Sequence, residues 1–304
     1  MSFIMLLIGF LLLIKGADYF VEGASTIARK FHIPSMVIGL TIVSIGTSLP
    51  ELSVSLTSAL IGKNDLAVAN VVGSNVFNIL MGLGVSGIIS KLPIEKNTIE
   101  TDIPFLNIIG TILLVMMLNL TLGRFEGILL IGLLIGFLFY IIKPILNNKE
   151  ELKEENKLSF KTILLGILGV VGIILGGDIV VDSASNIAKM FGMSQNLIGL
   201  TVVATGTSLP EFVTSVMAII KGENEIAVGN IVGSNIFNIL MILGISSIIS
   251  PITITFISII DIMFMIATGI LLYVFVVKSK TLNRYQGIVF ILLYIGYISY
   301  TIFR

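Results

Sequence analysis

Residues 38–90 read IGLTIVSIGTSLPELSVSLTSALIGKNDLAVANVVGSNVFNILMGLGVSGIIS, and residues 198–250 read IGLTVVATGTSLPEFVTSVMAIIKGENEIAVGNIVGSNIFNILMILGISSIIS. A shift of 160 positions superimposes the two without a gap, with roughly 30 of the 53 positions identical, far more than shared hydrophobicity produces. The same shift matches Gly16, Asp18, Ala24, Ser25, Ile27 and Ala28 with Gly176, Asp178, Ala184, Ser185, Ile187 and Ala188. Further on it matches Thr121, Leu122, Arg124 and Gly127 with Thr281, Leu282, Arg284 and Gly287. The chain is therefore a duplication. Each half carries GTSLPE, at 46–51 and at 206–211, in sequence that is otherwise almost wholly apolar.

That apolar setting defines the class. Of 304 residues, 56% are hydrophobic and 12% charged, with a mean hydropathy of +1.08. Soluble domains carry about twice that charged fraction. Ten runs are long enough to cross a bilayer, which takes roughly 20 residues each: 3–28, 35–60, 66–89, 103–119, 125–143, 161–190, 194–220, 226–249, 254–278 and 285–303. They do not alternate polar and apolar residues as barrel strands do. The first run lacks a basic leader and has a counterpart in mid-chain, so it reads as a retained helix and not a signal peptide.

Five spans per half is an odd number, so the second half enters the membrane from the opposite face. The reading is an all-α membrane protein of ten transmembrane helices arranged as two inverted five-helix repeats, 1–143 and 161–304. That architecture places a substrate at mid-membrane, where the repeats meet. The join at 144–160, PILNNKEELKEENKLSF, is the only long polar stretch, and it lacks the ligand spacing of a calcium loop. It reads as a solvated linker. With the amino terminus outside, the inner loops hold Arg29, Lys30, Lys91, Lys96, Lys143, Lys149, Lys153, Lys157, Lys161, Lys221, Lys278, Lys280 and Arg284, and the outer side only Lys63, Arg124, Lys189 and Arg304. The positive-inside rule then puts both termini outside a cell membrane and the linker in the cytoplasm.

Composition also narrows the partners. Eighteen basic and 18 acidic residues balance, so nothing points to nucleic acid. The absence of cysteine excludes disulfides, thiolate metal sites and thiol nucleophiles. His32 follows Arg29 and Lys30 between two spans, an interfacial position. The lipid bilayer is the one large partner implied; no cofactor and no obligate protein partner is evident.

The repeated motif then sets a chemical problem. Glu51 falls about sixteen residues into its span, about 24 Å along a helix axis, and Glu211 at the matching depth from the other face. A carboxylate there costs about 2.5–3.5 kcal/mol or more unless it is paired. The four spans that carry the motifs offer no Lys, Arg or His except near their loops, so compensation must come from outside the protein. A cation fits. Pro50 and Pro210 lack an N–H and free at least the carbonyls of Gly46 and Gly206. Thr47, Ser48, Thr207 and Ser208 add hydroxyls, and the repeated GSNxFN element adds Ser74 with Asn78 and Ser234 with Asn238, four apart on one helix face. Carboxylate, carbonyl, hydroxyl and amide oxygens without sulfur or imidazole suit calcium and sodium, not zinc or copper. Two glutamates would be neutralised by one calcium ion, whereas one sodium ion would leave a charge of −1. Asp18 with Glu22, and Asp178 with Asp182, are acid pairs near the ends of the first span of each half; packing at the interface is the simpler reading for them.

On the paired GTSLPE and GSNxFN elements the chain resembles the calcium/cation antiporter superfamily, specifically the sodium/calcium exchangers, over both halves. The resemblance implies a site built from the second and third helices of each half. It implies exchange of about three sodium ions for one calcium by alternating access, with the long first and sixth helices sliding past a fixed core. Carried over residue by residue, Glu51 and Glu211 with the carbonyls of Thr47 and Thr207 would take calcium. Ser48, Ser74, Ser208 and Ser234, with the carbonyls of Ser44 and Ala204, would serve sodium, while Asn78 and Asn238 line the centre. Some relatives, including potassium-dependent exchangers, carry Asp at the position of Asn238; the missing carboxylate argues against a potassium requirement. Proton/calcium exchangers usually have a GNxxE-type element instead of GTSLPE. Proton or potassium coupling, a cation channel and an intramembrane enzyme are the competing readings; no serine–histidine or metal–histidine arrangement supports the last.

Overall fold

The computed structural model describes residues 2–61, 64–147, 159–193, 202 and 204–303. It is helical throughout except for four two-residue strands. Two very long helices, α1 (Ser2–Lys30) and α7 (Phe160–Met190), of 29 and 31 residues, pack along each other. At 1.5 Å per residue α1 is about 44 Å long, more than a hydrocarbon core of about 30 Å, so a membrane takes such a pair tilted.

A glycine seam brings the two backbones together. Gly9, Gly16 and Gly23 recur every seven residues on α1, as do Gly169 and Gly176 on α7. A Cβ on Gly16 would lie 2.6 Å from the Ile173 nitrogen, one on Gly169 2.6 Å from that of Phe20, and one on Gly176 2.5 Å from that of Leu13. In lipid there is little hydrophobic drive between helices, so small residues that allow backbone contact supply the association.

The remaining helices form the core. In the first half, α2 (Ser35–Thr47) and α3 (Leu49–Leu60) meet at a 48° bend, followed by α4 (Leu66–Ile89), α5 (Thr98–Met116) and α6 (Arg124–Asn147). In the second half, α8 (Ala204–Gly206) and α9 (Leu209–Ile220) precede α10 (Asn224–Ile249), α11 (Phe256–Ser279) and α12 (Arg284–Phe303). Helices α4 and α10 are the most enclosed, with 78% and 83% of their central windows buried against 11% for α12. They carry the GSNxFN elements, so those polar residues sit where neither water nor lipid reaches. Gly39 of α2 and Gly229 of α10 allow another backbone-level approach: a Cβ on either would fall 2.7 Å from a carbonyl oxygen of the other helix.

Two short antiparallel ribbons tie the halves. Strand β1 (Leu92–Pro93) pairs with β4 (Thr281–Leu282), and β2 (Thr121–Leu122) with β3 (Ile252–Thr253). The 160-residue shift carries β1 onto β3 and β2 onto β4, so it exchanges one ribbon with the other.

Among the described residues, eight helices are long and apolar enough to span a bilayer, or nine if α2 and α3 count as one bent span. Of the ten runs read from sequence, the seventh is represented by α8 and the 12-residue α9, because residues 194–201 and 203 lie outside the described set. Most of the linker expected at 144–160 lies outside the described residues. Residues 144–147 continue α6, Ser159 caps α7 by accepting from the Lys161 N–H, and 148–158 are not described. His32 is exposed in the turn after α1, as an interfacial residue should be.

Gly16→Ala should therefore lower the thermal midpoint of the detergent-solubilised protein, with a packing cost of about 1–3 kcal/mol. Gly136→Ala, where an added Cβ meets nothing within 4 Å, should stabilise by the helix-propensity difference, roughly 1 kcal/mol at most. Equal midpoints for the two variants would remove the seam from the account.

Candidate functional site

The GTSLPE bend falls two residues before its proline. Ser48 carries the break, with φ −83° and ψ 6°, and Pro50 stands in the first turn of α3, where its missing N–H is harmless. Ser208 does the same ahead of α9, with φ −90° and ψ 2°. Glu51 and Glu211 are thereby not mid-helix residues. Each sits in the first turn of a half-helix whose free N–H groups favour negative charge.

Both glutamates are fully buried, at 0% exposure. Ser48 donates from Oγ to Glu211 Oε1 at 2.8 Å across the halves. Neither oxygen of Glu51 has a hydrogen-bond partner, and Glu211 Oε2 also lacks one. The carboxylates lie close enough to repel each other, and Ser208 lies beside Glu51 without a well-formed hydrogen bond. No lysine, arginine or histidine pairs with either glutamate among the described residues.

Other unpartnered oxygens sit on α4, on α10 and at the break before α9. Ser74 Oγ, Ser208 Oγ, Asn78 Oδ1 and Asn238 Oδ1 are buried and unsatisfied. Buried polar atoms are normally satisfied, so these four, all on the repeated motifs, stand out. Thr47 and Thr207 spend their hydroxyls differently: Thr47 Oγ1 donates to Asn230 Oδ1 at 3.0 Å and Thr207 Oγ1 to Asn70 Oδ1 at 3.3 Å. Ser234 Oγ lies 3.5 Å from Thr47 Oγ1. Ser44 is buried, and its carbonyl accepts from the Ser48 N–H. The Ala204 backbone lies in α8, but its side chain is outside the described residues. Hydrogen bonds and electrostatic contact thus bring Thr47, Ser48, Glu51, Glu211, Thr207 and Ser234 to one place where the halves meet.

Sequence reading missed the residues that brace this place. Asn70 Nδ2 donates to the Glu51 carbonyl at 3.4 Å and to Ser55 Oγ at 3.1 Å. Asn230 Nδ2 does the same to the Glu211 carbonyl at 3.1 Å and Ser215 Oγ at 2.9 Å. Asn75 and Asn235 link the halves through their own amides. The signal was present: all six recur under the 160-residue shift as polar residues in apolar spans.

The acid pairs on the long helices part company. Asp18 is 2.8 Å and Glu22 3.5 Å from Lys221 Nζ, and Arg29 is 3.0 Å from Glu223. A left-handed turn at Gly222, φ +78°, ends α9 and presents those two partners to α1. Asp178 and Asp182, by contrast, line a cavity of about 480 Å³ with Leu49, Pro50, Ser53, Gly206, Thr207 and Pro210. Packing is thus the role of the first pair, while the second reaches the cavity that borders both GTSLPE elements.

The profile of the sodium/calcium exchanger protein family matches residues 1–143 and 161–303. The putative antiporter CaxA of Alkalimonas amylolytica is 38% identical over 97% of this chain and 96% of its own length. The sodium/calcium exchanger MaX1 of Methanosarcina acetivorans is 30% identical over 98% and 97%. A solved structure of the sodium-calcium exchanger NCX_Mj, soaked with sodium and strontium, superposes with a TM-score of 0.88 at 32% identity, covering 98% of this chain and 97% of that one. With this many helices and these relatives, the chain is a multi-pass membrane protein.

In metal-free buffer at alkaline pH, Glu51→Gln should raise the thermal midpoint above that of the parent, because an unpaired buried charge costs several kcal/mol. Glu211→Gln should raise it less, since Ser48 already donates to that carboxylate. A midpoint below the parent's for Glu51→Gln would mean that Glu51 has a partner within the protein.

Proposed function

This chain belongs to the sodium/calcium exchanger family, and we propose that it is a secondary antiporter exchanging about three sodium ions for one calcium ion by alternating access. One observation carries the reading: two fully buried glutamates have no basic partner among the described residues, and the half-helices that carry them pack against the segments that hold the unpartnered Asn78 and Asn238 oxygens. The charge of −2 calls for one divalent or several monovalent cations, and the same oxygens serve either. Competition for one cage is the physical basis of exchange.

In this reading residues 1–143 and 161–304 are inverted five-helix repeats joined by 144–160, with both termini extracellular. The ribbons exchanged by the 160-residue shift and the paired half-helices support it. Glu51 and Glu211 are the main calcium ligands, with the carbonyls of Thr47 and Thr207. Ser48, Ser74, Ser208 and Ser234, with the carbonyls of Ser44 and Ala204, serve sodium. Asn78 and Asn238, being neutral, leave the site at −2 and give potassium no extra carboxylate. On this orientation the cavity with Asp178 and Asp182 lies on the outer side and the Lys221 and Arg29 ion pairs on the inner side. That arrangement fits an outward-facing state: the inner ends of α1 and α9 must separate before the site opens inward.

Proteoliposomes loaded with sodium and diluted into sodium-free calcium should take up calcium without potassium, and Glu51→Gln or Glu211→Gln should abolish the uptake. Uptake driven by a proton gradient alone would replace sodium by proton coupling, and single-channel currents would replace the carrier by a pore. Three-for-one exchange moves one net charge per cycle, coupled to voltage by about 2.3 kcal/mol per 100 mV. An inside-negative potential should then oppose this uptake, and the reversal point should move with voltage. A voltage-independent reversal point would mean two sodium ions per calcium, or proton compensation, and would remove the three-for-one ratio.

A further inference from the structure

An asparagine beside a cation poses a problem that a carboxylate does not. Its amide has an oxygen end and an NH₂ end of nearly the same size, and only the oxygen attracts a cation. Nothing in Asn78 or Asn238 itself selects the end to present. The selection is made one turn away, in the opposite half.

The backbone carbonyl of Asn235 can only accept, and Asn75 Nδ2 donates to it at 3.2 Å. That fixes which way the Asn75 amide lies and leaves its Oδ1 to the other side. Oδ1 can also only accept, so Asn238 must turn its NH₂ toward it, and does so at 2.9 Å. Asn238 Oδ1 is then the end left over, buried and without a protein partner. The mirror chain runs in reverse. The Asn75 carbonyl accepts from Asn235 Nδ2 at 3.3 Å, Asn235 Oδ1 accepts from Asn78 Nδ2 at 3.1 Å, and Asn78 Oδ1 is left unpartnered. Both relays are buried, with Asn75 and Asn235 at 0% exposure. Each starts at a backbone carbonyl that cannot reverse its polarity. Asn75 Nδ2 also lies 3.4 Å from Met265 Sδ, again an acceptor. Flipping any one amide would set two donors or two acceptors face to face.

We propose that Asn75 and Asn235 are positioning residues: each holds the site asparagine of the opposite half with its oxygen free for the transported cation, and so sets the cation affinity of the site. This rests on the reading that Asn78 and Asn238 line a cation site. Because each relay crosses from one half to the other, it also makes the polarity of the site depend on the two halves being docked.

The experiment is a double-mutant cycle on the purified full-length chain, reading equilibrium binding of radioactive calcium in sodium-free detergent solution and the thermal midpoint in parallel. Asn75→Ala frees the Asn238 amide to turn, and should weaken calcium binding on the order of tenfold, as loss of an outer-shell partner does in metal sites. In an Asn238→Ala background there is no amide to orient, so adding Asn75→Ala should weaken calcium no further. In an Asn238→Asp background both ends are oxygen and one faces the acceptor Asn75 Oδ1, so Asn75→Ala should carry no penalty and relieve that repulsion. If Asn75→Ala does not fold, Asn235→Ala with Asn78→Ala and Asn78→Asp runs the same cycle on the mirror relay. An equal penalty in all three backgrounds, tracking the thermal midpoint, would mean a packing role and overturn the relay alone. A folded parent that binds no calcium would overturn the reading of the site and the relay with it.

Discussion

Two carboxylates with no positive partner among the described residues are the constraint around which this structure is organised. Glu51 and Glu211 are fully enclosed, and Ser48 donates a well-formed hydrogen bond to Glu211 while both oxygens of Glu51 have none. Leaving charge in such a place is tolerable only if something else compensates it. The fold offers the two carboxylates half-helix N-termini and hydroxyls, which favour negative charge without cancelling it. A lysine at the site would neutralise a carboxylate and leave less negative charge for a cation to compensate.

Holding those groups in place demands backbone-level packing, because long side chains between the helices would push the ligands apart. Gly39 and Gly229 bring α2 onto α10. The asparagines at 70, 230, 75 and 235 then tie the motif-bearing turns to the neighbouring helix or to the opposite half. The long helices α1 and α7 are packed differently, mainly against each other along a glycine seam with lipid-facing apolar residues outside. A smooth seam with few interlocking side chains suits a pair that moves as one body against the core.

Much of this was legible in the sequence, for a definite reason. Duplication turns each functional residue into two observations, so GTSLPE and GSNxFN stood out, and with them the glutamates, serines and site asparagines. The same test would have found Asn70, Asn75 and their partners; they were passed over because their chemistry is bracing, which no motif announces. The bend could not be placed so well. Proline says that a helix is interrupted, but the break falls at Ser48, because a proline is best accommodated in the first turn of the helix that follows. Lys221 was invisible to the repeat for the opposite reason. Its counterpart under the shift is Ile61, so only three-dimensional contact assigns it to Asp18 and Glu22.

The departures from symmetry are what give the symmetric site a direction. Ser48 donates to Glu211, yet Ser208 makes no equivalent bond to Glu51. Lys221 engages the acid pair on α1, while the matching pair on α7 faces a cavity. Two halves of nearly the same sequence therefore hold different conformations in one molecule. Whatever conformation one half can adopt, the other can approach at modest cost, since local propensities, glycines and braces are shared. In the proposed alternating access, exchanging the two conformations would close the cavity at Asp178 and open a counterpart at Asp18. The residues that are not repeated, such as Lys221, would then bias one arrangement over the other. The proposed alternating access thus needs no moving part beyond the difference between two copies of the same half.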